Sequence, residues 1–170
     1  MIYSLKTLLQ LPESKVLHNN EPVSYSWGDI DALNKWLVSM NNKQIDSAMG
    51  MPKSKKYPLI WLAEGWKAKE SNPGIKFSNV DFYISKNSKI ETLNEKRIEN
   101  FNIIYEVAND FIKELKNISR IEENNISYFE KPSFNTVSNS KDKKTYTSDI
   151  WDTLIISLDL TIINLSSCFK

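Results

Sequence analysis

The chain is poor in the residues that carry out chemistry. Its 170 residues include one histidine, His18, one cysteine, Cys168, and two arginines, Arg97 and Arg120. A single cysteine closes no internal disulfide and builds no thiolate cluster. His18 is far from Cys168 in sequence, so no nucleophile–base pair is in view, and His18-Asn19-Asn20-Glu21 offers too few ligands for a metal. The four glycines form no phosphate-binding loop pattern. Scarce arginine removes the usual bidentate reader of phosphate and guanine. A formal net charge of +1, from 22 basic against 21 acidic side chains, leaves no cationic excess to grip nucleic acid. No apolar run reaches the roughly 18 residues of a membrane helix. The start, Met1-Ile2-Tyr3-Ser4-Leu5-Lys6, lacks a basic n-region and a small-residue cleavage site. These absences predict a cytosol-like location, no membrane contact, no cofactor or metal, and no enzymatic activity.

What is present is a globular composition, 41% hydrophobic and 25% charged, in a length that suits one domain over residues 1–170. Ile2, Leu5, Leu8 and Leu9 recur at helical spacing until Pro12. Residues 13–25 read as a polar loop. Ser26-x-x-Asp29 resembles a capping box, and Trp27, Ile30, Leu33, Leu37 and Met40 follow on one face, predicting a helix over 27–40. Residues 41–56 read as a connector and 57–64 as a strand, with Pro58 at its start. Gly65, Pro73 and Gly74 amid charge predict a long exposed loop over 65–78. Val80, Phe82 and Ile84 alternate with polar residues, a strand with one buried face.

The strongest periodicity is Ile98, Phe101, Tyr105, Ala108, Ile112 and Leu115, widened by Ile104, Phe111 and Ile118. It predicts a helix over 93–117, roughly 37 Å long. Burying six to nine large apolar side chains is worth at least ~10 kcal/mol gross, so this helix must lie across a sheet or another helix. Residues 126–134 read as a strand broken by Pro132. Residues 135–149, polar and without period, read as a mobile loop or a hairpin arm. The alternation from Leu154 to Ile163 predicts a long central strand. The sum is a two-layer α+β domain. Its sheet is mostly antiparallel, with four or more strands, and the long helix and the N-terminal helices pack on one face.

Glu64 and Asp81, with Lys67 and Lys86 nearby, suggest a metal-dependent nuclease only remotely, because the acid–x–lysine spacing on one strand is absent. A solvated strand face with lysines guarding an edge accounts for them better. Of the five tryptophans, Trp27 and Trp61 read as core. Trp66 in the charged loop and Trp36 at the margin of its helix stripe stand apart; such residues either anchor an interface or fold back over the domain's own edge.

The order of elements, the strand Lys56-Tyr57-Pro58-Leu59-Ile60-Trp61-Leu62, the strand Asp81-Phe82-Tyr83-Ile84-Ser85, the long helix and the final strand over 151–164 together resemble bacteriophage neck proteins. The family is the tail-completion or tail-terminator type, as found in phages of Bacteroidetes hosts. The resemblance covers about 1–12 and 54–165; residues 20–50 read as a helical elaboration outside it. It implies a structural virion protein of the neck, assembled in the host cytoplasm. The subunit would form a homo-oligomeric ring between portal or adaptor proteins and the tail, and DNA would pass through the lumen without sequence-specific binding. Heterologous contacts would close the ring. The candidate contact residues are Trp66, Lys67, Lys69 and Trp36, with Lys141, Lys143, Lys144 and Tyr146 in the 135–149 segment. The alternative is a small binding module or inhibitor that recognises one protein through an exposed strand edge or the Trp66 loop.

Overall fold

A computed structural model describes residues 15–48, 56–72, 74–88, 94–118, 121–134 and 150–163. The expected N-terminal helix and the 135–149 segment, with Lys141, Lys143, Lys144 and Tyr146, lie outside the described residues.

The strands are β1 Leu17–His18, β2 Glu21–Pro22, β3 Ser24–Gly28, β4 Leu59–Ala63, β5 Lys67–Ser71, β6 Gly74–Ser88, β7 Ile121–Phe134 and β8 Ile150–Ile163. The helices are α1 Ile30–Ala48 and α2 Asn94–Lys116. Strands β1 and β2 pair antiparallel, turned by Asn19 and Asn20 with φ of 53° and 61°, as a two-residue hairpin requires. The main sheet runs β3-β4-β6-β8-β7, with β5 paired to β6. Every pairing in it is antiparallel except β3 with β4. The protein is thus α+β with a mostly antiparallel sheet, as the patterning predicts.

Three long strands, β6, β8 and β7, organise it. The β-branched alternation of β8 places it between β6 and β7, with Leu154, Ile156, Leu158 and Leu160 buried on one face. Helix α2 lies over that face. Ile104, Val107, Ala108, Phe111 and Leu115 meet Ile60, Leu62, Val80, Phe82 and Ile84 in one cluster, and the Phe82 and Phe111 rings meet at a tilt of 59° with centroids 4.8 Å apart. The buried stripe of α2 is rotated from the predicted one. Ile98 is 61% exposed, and Phe101 and Tyr105 are half-buried, because the helix turns the polar Asn100 inward instead.

Three predictions change. Residues 24–28 form a strand, not the start of a helix, because they pair with β4 from Ser24↔Leu59 to Gly28↔Ala63. The helix cap is Asp29, whose Oδ1 accepts from the Ala32 amide at 2.8 Å. Trp27 and Ile30 are consequently exposed. Helix α1 then seats Leu33 and Leu37 over Leu59, Trp61 and Trp151. Those residues alternate with the α2-facing ones, so α1 covers the opposite face of the sheet from α2. Finally, within the expected loop over 65–78, Lys67–Ser71 form β5 and pair antiparallel with the first residues of β6, Gly74 to Ser78. Gly74 opens β6 so close to β8 that a Cβ there would lie 1.8 Å from the Ile162 carbonyl oxygen, which is why glycine occupies that position.

Candidate subunit-interface surface

The sheet rim is shaped by irregularities that fall at one level. The register of β6 on β8 shifts between Phe77 and Val80, and that of β7 on β8 shifts between Asn124 and Ser127. Asn79 and Asn125 adopt left-handed φ of 57° and 54° at these bulges, a conformation asparagine tolerates. Between them, on β8, stands Asp159. Its carboxylate accepts from Asn125 Nδ2 at 3.0 Å, from the Asn79 amide at 3.3 Å, and from Lys76 Nζ at 3.2 Å. The bond from Asn125, then those from Lys76 and Asn79, hold the Asp159 carboxyl below the usual carboxylate range, against the opposing effect of desolvation. One side chain on the central strand therefore pins the bulges of both neighbours.

Below that level the sheet is β5-β6-β8-β7; above it β4 and β3 replace β5. Strand β7 pairs β8 on its inner side and no described strand on its outer side. Its residues Tyr128 and Phe129 are 49% and 62% exposed. Register places Tyr128 opposite Ile156 and Glu130 opposite Leu154, on the α2 face; Phe129 opposite Ile155 lies on the other. Pro132 and a second bulge at Ser133 end the regular part of this edge, a usual way of blunting an edge strand.

Between β7 and the first half of α2 runs a groove of about 450 Å³, lined by Ile98, Phe101, Tyr105, Glu130 and Pro132 among others. Tyr105 donates to Glu130 Oε1 at 2.8 Å. That hydrogen bond pushes the phenol of Tyr105 above its ordinary value. Behind the groove, Asp152 is fully buried on β8. It accepts from Asn100 Nδ2 at 2.8 Å and from the Ser133 amide at 3.3 Å, while Arg97 donates to Ser133 Oγ at 2.8 Å.

The predicted contact residues divide. Lys67 and Lys69 are exposed along β5. Trp66 is half-buried and packs against the α2-side core. Trp36 packs edge-on to Trp61, ring centroids 6.3 Å apart, in the cluster under α1. Asp81, the remote nuclease carboxylate, accepts from Ser157 Oγ at 2.5 Å. Among the described residues no group of three His, Cys, Asp or Glu could hold a metal ion, and no helix is long and apolar enough to cross a membrane. The residues that sequence reasoning missed are Tyr128, Phe129 and Ile98. They sit inside legible elements, and only the strand order reveals that β7 is a rim. Compared with known proteins, the chain matches no family model and no curated protein.

Proposed function

We propose that the protein is a structural subunit of a bacteriophage neck, assembling with copies of itself into a ring that joins head to tail and lets DNA pass. The reading takes its class from the order of elements in the sequence. The observation that carries it in the structure is the pair of sheet rims that no described strand covers: the 14-residue strand β7 on one side, with Tyr128 and Phe129 exposed, and the solvent-facing strand β5 on the other. A closed ring needs two different complementary patches on each subunit, and two rims of one sheet provide them. The subunit works by holding its neighbours, without catalysis, in the virion after assembly in the host cytoplasm. Near-neutral charge suits a lumen through which DNA must slide.

A second reading has its own observation. The groove between α2 and β7 lies beside a strand edge that no described strand pairs, the arrangement in which an extended peptide adds a strand and drops alternate side chains into a pocket. A small binding module would then form a one-to-one complex. Negative-stain imaging and mass photometry of the purified chain, alone and with portal or tail proteins, decide between them. Rings support the neck reading; a defined one-to-one complex with no ring under any condition sinks it.

A further inference from the structure

We infer that neighbouring copies join by edge-to-edge pairing of β7 in one subunit with β5 in the next, extending one sheet around the ring; this rests on the ring reading above. Three observations lead to it. The first is charge. Strand β5, Lys67–Ser71, carries two lysines against one glutamate. Strand β7 carries three glutamates against one lysine. Opposite rims of one sheet thus have opposite sign, which favours contact between unlike rims and disfavours contact between like ones.

The second is register. Lys69 pairs Lys76, Lys76 pairs Thr161, and Thr161 pairs Glu122. A single row across the sheet therefore begins with Lys69 on one rim and ends with Glu122 on the other, both exposed and on one face. Lys76 and Glu123 are already engaged, by Asp159 at 3.2 Å and by Lys116 at 3.6 Å. Lys69 and Glu122 have no ion pair among the described residues and remain to meet across a subunit boundary.

The third is strand direction. Four strands, β5-β6-β8-β7, alternate antiparallel in this half of the sheet. Repeating an even number of alternating strands side by side puts β7 antiparallel to the next β5 with no change of orientation. Among the described residues no strand pairs the outer side of β5, and β3 pairs only β4 with a register that stops at Gly28↔Ala63. The Asn125 bulge falls near the level where the neighbour's β3 starts to project, and a bulge bends its strand. In the lateral repeat, Glu122 comes opposite Lys69 of the next copy and Asn124 opposite Lys67.

The test is charge exchange in the full chain. Lys67→Glu/Lys69→Glu makes both rims acidic, and Glu122→Lys leaves the β7 rim near neutral with a lysine opposite Lys69. Each variant alone is expected to assemble about tenfold more weakly than the unaltered chain, with circular dichroism unchanged. An equimolar mixture of the two restores a Glu–Lys contact at every boundary between unlike copies and regains assembly. As an independent measurement, a Cys168→Ser chain carrying Lys69→Cys and Glu122→Cys gives, on oxidation, a ladder of cross-linked multimers on a non-reducing gel. Rings that tolerate both charge reversals and give no cross-linked ladder overturn the inference and leave the ring reading standing. Absence of any ring from the unaltered chain with its neck partners overturns the reading and the inference together.

Discussion

The carboxylate of Asp159 and the side-chain amide of Asn125 meet at 3.0 Å across a bulge in the rim strand β7. The same carboxylate takes the Asn79 amide on the other side, so the geometry of the outer strand depends on a residue in the centre of the sheet. Asp159→Ala is expected to lower stability by about 1–3 kcal/mol, the usual cost of losing hydrogen bonds to a charged group. The effect is also pH-dependent. The Asp159 carboxyl is held below its ordinary value in the folded chain. Its stabilising contribution is therefore complete above the unfolded carboxylate pKa of about 4. It fades as pH falls through the folded value. Denaturant melts between about pH 3 and 7 should show a shallower acid slope for the variant; parallel slopes would refute the clamp.

Gly74 tests how closely β6 is laid on β8. A methyl group there would penetrate the Ile162 carbonyl oxygen, which is backbone and has no rotamer to escape into. Gly74→Ala is expected to cost about 3 kcal/mol or more, the upper range for overpacking, and to lower Tm accordingly. A neutral substitution would mean that the β5–β6 hairpin is not seated as described.

Much of this architecture can be read from the chain, and the failures have a common physical cause. Helix α2 and strand β8 carry long, clean periodicities whose burial outweighs local competition, so their existence and neighbourhood follow from pattern alone. Strand β3 does not: Ser24-Tyr25-Ser26-Trp27 is weakly patterned, and the local capping signal at Ser26 competes with a pairing partner more than thirty residues away. Long-range pairing wins, and the cap moves to Asp29. The rim suffers most. Trp66 reads from the chain either as an interface anchor or as a residue folding back over the domain's own edge, and only the tertiary packing shows it half-buried against the core. Phe129 reads as one more strand residue until the strand order puts β7 outermost.

Asn100 and Asp152 give a third test. Asp152 is completely buried, and the 2.8 Å bond from Asn100 supplies one of its two described partners. Removing one member of a buried pair leaves the other desolvated and unsatisfied, which costs more than the bond itself contributes. Asn100→Ala is therefore expected to destabilise by about 2–4 kcal/mol, more than truncating the exposed Ile98 two residues before it in the helix. Equal effects at the two positions, measured by chemical denaturation, would place the helix face wrongly.

Phe129 and Trp66 separate the rim from the core. Phe129 is 62% exposed on an edge strand, so a charge there loses little folding energy but falls on the rim that a neighbouring copy would face. Trp66 is half-buried against the α2-side cluster, so truncating it removes packing within the subunit. Phe129→Asp is accordingly expected to leave Tm within about 2 °C, as surface changes do, while weakening self-assembly about tenfold or more. Trp66→Ala should do the reverse, costing about 1–3 kcal/mol of stability while leaving the association of the remaining folded subunit near that of the unaltered chain. The two variants are compared by thermal melts and by mass photometry under conditions where the unaltered chain assembles. If Trp66→Ala abolishes assembly with stability intact and Phe129→Asp does not, the working rim is the one that tryptophan occupies, and β7 is only a blunted edge turned to solvent.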